Sequence, residues 1–347
     1  MSNFTPLISI LVPVYNKANY IKESINSLLE QSYPNVEILI YDDFSTDESL
    51  SIIKDIDDKR IFIHTGTENK GVRYGRDYLL NKANGDFISF FDADDLCHKN
   101  KYIKIFKYFN NNPGIDIIGS RVNYINDKGI KLYKPFTFES YSVEDIKANL
   151  FFCNTISTST VVFKKNVAVN IKFLDFKYII GEDYFEWIKL TETYNFINLP
   201  EKLVTYRVTD HGMMGNTKSS YAEAINFIHS YQFKNLNINP YKSILDIHNR
   251  FMFEKFISKI YLLKSIIFYD DLLLHSNKKY HIESFLNQIR VNWLRKCIVF
   301  SKTNPISSIF IYLFYFKKHD FKSIINTYIL IIFSIKFSIN YFINGEE

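Results

Sequence analysis

Strand-length apolar runs alternate with segments of helical period through the first half of the chain, and this alternation limits the possible folds more than any other feature. Ile8–Val14 is a continuous apolar run punctuated by Pro13 and closed by Asn16; Val36–Tyr41, Ile61–His64 and Asp86–Phe91 follow as further runs of strand length. Between them Ile21, Ile25, Leu28 and Leu29 recur at helical spacing, and helices are expected over Asp47–Ile56 and Val72–Lys82. Runs that are apolar at successive positions suit strands buried on both faces, so the pattern predicts an α/β fold with a mostly parallel central sheet flanked by helices. Beyond Asp95 the pattern predicts a helix over Lys101–Phe109 and strands within Ile115–Asn126. A helix near Val143–Leu150, a strand near Thr160–Phe163, a helix from Glu182 to Tyr194 and a strand at Leu203–Arg207 follow. The first domain is expected to span 1–216, and 217–347 reads as a helical extension of basic and aromatic composition.

Acidic residues stand where these elements end or begin. Asp42 and Asp43 close the second run, Asp92, Asp94 and Asp95 close the fourth, Glu182 and Asp183 open a helix, and His211 follows the last strand. In an open α/β sheet ligands bind beyond the carboxyl ends of the strands, so the first two clusters should converge. Carboxylate oxygens are natural ligands of a hard divalent cation, which in turn neutralises the charge developing on a diphosphate leaving group. Each feature also has a plain structural explanation. Asp is a common turn residue, Asp47 reads as a helix N-cap, Glu182-Asp183 suits a helix dipole, and Arg76 or His211 alone would be solvated side chains. Order and combination carry the functional reading.

Taken in order, Pro13-Val14-Tyr15-Asn16, Asp42-Asp43-Phe44-Ser45-Thr46-Asp47, Asn69-Lys70-Gly71 and Gly85-Asp86 leading to Phe91-Asp92-Ala93-Asp94-Asp95 resemble the family 2 glycosyltransferases. Glu182-Asp183 with Trp187, and Tyr206-Arg207 followed by His211, match the family's later landmarks, so the resemblance covers about residues 5–215. It implies the GT-A fold and inversion of the anomeric centre. Pro13, Val14 and Tyr15 would border the uracil or ribose pocket, Asp42 or Asp43 would hydrogen-bond the base, and Arg76 would lie near the diphosphate. Asp92 would touch the ribose, with Ala93 beside it in the donor-binding turn. Asp94 and His211 would hold Mn2+ or Mg2+. Asp183 would be the catalytic base, with Glu182 as its neighbour. One departure is Asp77, where the family commonly has Asn.

The implied activity is transfer of a hexose or N-acetylhexosamine from a UDP-sugar to a hydroxyl of a glycan or lipid-linked saccharide, in bacterial surface polysaccharide or lipooligosaccharide synthesis. Two other readings compete. A metal-dependent nucleotidyltransferase needs a Gly-rich basic loop that Val12–Asn19 lacks, and a non-catalytic glycan-binding module has no need of both Asp94 and Asp183. Cys97, Cys153 and Cys297 are widely spaced, which disfavours a disulfide framework and fits a cytoplasmic protein. The N-terminus lacks the pattern of a secretory signal. Charge is uneven: residues 1–249 hold 28 Lys and Arg against 30 Asp and Glu, residues 250–347 hold 14 against 7. That basic excess is interleaved with apolar runs at Ile309–Phe316 and Ile324–Phe342, which points to the inner face of the cytoplasmic membrane and not to nucleic acid. A helical subdomain or a homo-oligomer interface would bury the same faces.

Overall fold

Both faces of β1 (Ile8–Val14) are covered, and Ile8, Ile10, Leu11, Val12 and Val14 are all buried, which accounts for a sequence that is apolar apart from the buried Ser9. The computed structural model describes residues 5–133, 141–209, 218–238 and 245–249, together with Tyr269, Leu272, 280–281, 283–289 and Asn292. In chain order the further strands are β2 (Val36–Asp42), β3 (Ile61–Thr65), β4 (Phe87–Phe90), β5 (Leu96–Cys97), β6 (Ile117–Asn126), β7 (Lys131–Leu132), β8 (Val162–Lys164) and β9 (Phe196–Val208). The helices are α1 (Ile21–Leu29), α2 (Ser49–Lys54), α3 (Val72–Lys82), α4 (Lys101–Asn111), α5 (Val143–Leu150), α6 (Glu182–Thr193) and α7 (Lys218–Asn235).

The described strands form one sheet in the order β3-β2-β1-β4-β8-β6-β9-β5, with β7 on β6. From β1 the chain moves outward through β2 and β3, then α3 carries it back across to β4 on the other side of β1. That reversal opens a crevice at the carboxyl ends of β1, β2 and β4, where Val14, Asp42 and the turn after Phe90 lie. The α/β architecture is as expected, but only this half is uniformly parallel. β4–β8, β6–β8, β6–β7 and β5–β9 are antiparallel, while β6–β9 is parallel. Buried strands read alike in either direction, so periodicity gives no sign of this change. The two-residue β5 is also absent from the sequence reading, being too short for any period.

Two glycines position the site. In α3, a Cβ on Gly75 would lie 3.2 Å from Pro13 Cβ and 3.2 Å from Tyr41 Cδ1, so the missing side chain lets α3 sit close on β1 and β2 and brings Arg76 to the crevice. Gly181 has φ +88°, a left-handed turn that only glycine adopts without strain, and it starts α6 so that Glu182 and Asp183 stand at its first turn. Trp187, fully buried between Phe90 of β4 and Phe196 of β9, anchors α6 to the sheet, with ring centroids 6.4 and 5.9 Å away.

The chain divides into two compact units, Met1–Ala224 and Ile225–Glu347, a few residues beyond the expected end at Asn216. In the second unit the described residues are helical at 245–249 and 283–289, and the His229 and His248 rings meet edge to face at 4.4 Å. Among the described residues no helix is long and apolar enough to cross a membrane. The apolar runs Ile309–Phe316 and Ile324–Phe342 lie outside the described residues. Gly75→Val is expected to destabilise the fold by about 1–3 kcal/mol through overpacking, read as a lower urea midpoint. An unchanged midpoint would show that α3 is free to shift outward.

Candidate active site

The turn after β4 is held from four directions. Asp95 N–H donates to the Asp92 carbonyl (3.1 Å) and closes the turn, while Asp92 N–H donates to Ser159 Oγ (3.0 Å). Asp95 is buried, and its Oδ1 accepts Arg207 N–H (2.9 Å) on β9. Arg207 Nε donates to the Asp94 carbonyl (2.9 Å), and its Nη2 pairs with Glu23 (2.8 Å). Burial, followed by the charges of Asp92 and Asp94, holds the Asp95 carboxyl well above the usual carboxylate range. Lys101 lies beneath the turn with no exposed surface, donating from Nζ to the Ser159 carbonyl (2.7 Å) and to Ser89 Oγ (3.2 Å). Burial pushes its ammonium down to about 8.

Arg76 links this turn to the start of α6. It is 4% exposed, its Nη2 donates to Asp92 Oδ1 (2.9 Å) and its Nη1 to Glu182 Oε1 (3.0 Å), so one planar fork spans two carboxylates distant in sequence. Asp183, next to Glu182, accepts Asn154 Nδ2–H (3.2 Å) and the Thr158 hydroxyl (3.1 Å) at Oδ2, and Tyr184 N–H (2.7 Å) at Oδ1. Burial raises the Asp183 carboxyl, with Arg76 the strongest opposing pull. Burial and then the Asp183 charge push Glu182 up to about 7. Tyr206 is driven upward by burial and then by the charges of Asp95, Asp92, Asp94 and Asp183. Tyr221 goes up to about 12 by burial and then by Asp183.

On the β2 side both Asp42 and Asp43 are buried. Asp43 accepts the amides of Lys70 (2.9 Å) and Gly71 (2.7 Å), tying the strand end to the loop before α3. Asp42 Oδ2 accepts Ser45 N–H (3.1 Å), and its Oδ1 has no hydrogen-bond partner among the described residues. Asp47 lies two residues ahead of α2 and accepts both Ser49 N–H (2.9 Å) and Ala18 N–H (3.0 Å); the N-cap position itself belongs to Glu48. Asp94 Oδ2 pairs with Lys17 Nζ at 2.5 Å.

The structure therefore gathers Asp92, Asp94, Arg76, Glu182 and Asp183 into one connected group, with Asp42, Asp43 and Pro13 at the neighbouring strand ends. Tyr15 is 43% exposed there. The side chains of Val14 and Ala93 are buried in the hydrophobic core. His211 lies outside the described residues. Lys17, Lys101, Asn154, Thr158, Ser159 and Tyr221 were not singled out by the sequence. The hydroxyl-rich run Thr155–Thr160 just ahead of β8 is the one signal that could have found Thr158 and Ser159.

Among the described residues no three His, Cys, Asp or Glu side chains are grouped to hold a metal ion. The turn nonetheless draws two basic side chains, Lys17 to Asp94 and Arg76 to Asp92, and its carboxylates are hard oxygen donors. One or two carboxylates completed by phosphate oxygens is how a Mg2+-like ion is commonly held with a nucleotide, so these residues fit such an ion.

Fold and site together define a glycosyltransferase of the GT-A type. The chain belongs to glycosyl transferase family 2, whose family model matches residues 9–163. It is 31% identical over 301 residues to an uncharacterized glycosyltransferase of Haemophilus influenzae, covering 82% of this chain and 91% of that one. Similarity also extends to the UDP-Glc:alpha-D-GlcNAc-diphosphoundecaprenol beta-1,3-glucosyltransferase WfaP of Escherichia coli, 32% identical over 53% of this chain and 70% of that one. In fold, the chain resembles the crystal structure of S. aureus TarS 1-349 in complex with UDP, with TM-score 0.52, 18% identity and 98% and 92% of the two chains covered. Arg76→Leu, which leaves Asp92 and Glu182 facing each other unpaired, is expected to cost about 3–5 kcal/mol of stability in urea unfolding at neutral pH. Arg76→Lys should recover only part of that loss, because one ammonium does not span both carboxylates as the guanidinium fork does. Full recovery by Lys would contradict the bridging role.

Proposed function

We propose that this family 2 glycosyltransferase moves a hexose or N-acetylhexosamine from a UDP-sugar, with inversion, to a hydroxyl of a glycan or lipid-linked saccharide in bacterial surface-glycan synthesis. The observation that carries the reading is the Arg76 bridge, which ties Asp92 of the turn to Glu182, the residue next to Asp183. Donor and acceptor chemistry need that proximity, since a single displacement requires base, acceptor oxygen and anomeric carbon in line. The diphosphoundecaprenol acceptor and UDP-glucose donor in the name of the E. coli relative, and the UDP bound by the S. aureus structure, support the substrate classes.

Asp183 takes the acceptor proton as its oxygen attacks the anomeric carbon. Asn154 and Thr158 aim its Oδ2, and the α6 backbone fixes Oδ1. Glu182, whose charge is already engaged by Arg76, raises the basicity of its neighbour. Asp92 lies at the ribose, Pro13 and Tyr15 border the base with the main chain of Val14 and Ala93, and Asp42 offers its unengaged oxygen to the base while Asp43 shapes the loop before α3. Asp94, with His211, would hold Mn2+ or Mg2+, which when bound would supply positive charge to the departing diphosphate. The basic excess of residues 250–347 supports attachment of the 217–347 extension to the inner face of the cytoplasmic membrane, where lipid-linked acceptors would be met.

Asp183→Asn is expected to lower transfer by roughly 10²–10⁴-fold while UDP binding in calorimetry stays within a factor of a few; unchanged transfer would overturn the assignment. The base acts ionised, and burial raises its proton affinity. Activity should therefore fall on the acid side at a pH above the ordinary carboxylate value of about 4. Glu182→Gln removes a neighbouring negative charge and frees Arg76 for Asp183, so it should move that limb to lower pH. A limb that stays in place would separate Glu182 from the base.

A further inference from the structure

The loop between β1 and α1 is unusually well fastened for an exposed segment. Asn16 takes φ +51°, donates its N–H to Ser45 Oγ (3.1 Å), accepts Thr46 N–H at Oδ1 (2.8 Å) and donates from Nδ2 to Thr46 Oγ1 (3.2 Å). Lys17 N–H donates to Ser49 Oγ (2.7 Å) and Ala18 N–H to Asp47 Oδ2 (3.0 Å). These bonds stitch the loop after β1 to the loop after β2 and fix the stem from which Lys17 reaches across the crevice to Asp94. On the far side, Arg207 and Asp95 hold the Asp94 backbone. The two side chains meet at 2.5 Å, 29% and 16% exposed, so the pair is open to an arriving ion or nucleotide.

An ammonium at this distance takes an acceptor site of the Asp94 carboxylate and, by its like charge, weakens the hold of that carboxylate on a divalent ion. We infer that Lys17 is the internal counter-cation of Asp94 and controls when a divalent ion enters. Without nucleotide it neutralises Asp94 and keeps metal affinity low. When a nucleoside diphosphate arrives, its phosphates give the ammonium a second anionic partner within the reach of a flexible four-carbon stem. Lys17 would then turn from Asp94 to the phosphates, leaving that carboxylate open to a divalent ion. Nucleotide and metal binding are thereby coupled, each strengthening the other by the same factor. The inference rests on the proposed placement of the metal at Asp94 and adds a residue, Lys17, that serves both ligands.

The test is Mn2+ binding to the full-length protein, read from the electron paramagnetic resonance signal of free Mn2+, with and without saturating UDP, alongside calorimetric UDP binding. For the natural protein UDP should tighten Mn2+ binding at least tenfold. Lys17→Met, close in volume but uncharged, should bind Mn2+ at least fivefold more tightly without UDP. It should bind UDP several-fold more weakly in the presence of Mn2+ and show a reduced coupling. Lys17→Arg, which keeps the charge, should stay within about twofold of the natural protein in Mn2+ binding without UDP. Equal Mn2+ affinity of the natural protein and Lys17→Met without UDP would overturn the inference, as would Lys17→Arg behaving like Lys17→Met. Asp94→Asn separates the two claims: loss of Mn2+ binding with UDP present keeps the metal at Asp94 even if Lys17 proves idle. Retention of that binding removes the metal placement, and the role of Lys17 falls with it.

Discussion

A single buried guanidinium makes one site out of two distant parts of the chain. Arg76 has no water to satisfy it, so its charge and geometry demand carboxylates on both sides, and Asp92 and Glu182 supply them. Because the fork is planar and rigid, the distance between the turn after β4 and the start of α6 is set by the dimensions of one side chain. Gly75 is its counterpart in packing: a Cβ there would crowd Pro13 and Tyr41 at 3.2 Å, so the glycine eases the close approach of α3 that carries the guanidinium to the crevice.

The negative charge gathered here is large for so little exposed surface. Burial raises the proton affinity of Asp95, Glu182, Asp183 and Tyr206, and the charges of Asp92, Asp94, Asp95 and Asp183 add to it. Three basic groups offset it differently. Arg76 is buried and permanent. Arg207 clamps main chain and Glu23, and so fixes the turn more than it neutralises it. Lys17 is partly exposed on a flexible stem, and it alone of the three can leave. Fixed charges hold the geometry of the site, and the mobile one leaves room for ligand chemistry.

Much of this was legible in the sequence. The apolar run of β1, the helical spacing of α1 and the limits of α3 and α5 followed from periodicity, because each is decided by burial of its own residues. Asp42, Asp92, Asp94 and Asp183 could be marked because each stands where an element starts or stops. The partners could not. Lys17 reaching Asp94, Arg76 joining Asp92 to Glu182, and Lys101 under Ser159 are contacts between segments far apart in the chain, and a lysine or arginine alone reads as a solvated charge. The strand at β8 was expected near Thr160–Phe163, but its antiparallel direction was not, because a buried strand carries no sign of direction; the two-residue β5 was too short for any period.

The account's central claim is that the Asp92–Asp95 turn and Asp183 face the same bound nucleotide sugar. A crystal structure of the protein with UDP and Mn2+ tests it most directly. The diphosphate should lie against the turn, with the metal on Asp94, the Arg76 bridge between Asp92 and Glu182 intact, and the Asp183 carboxylate opening onto the space beyond the β-phosphate where the sugar would sit. A nucleotide bound away from the turn, or an Asp183 walled off from the β-phosphate, would contradict it.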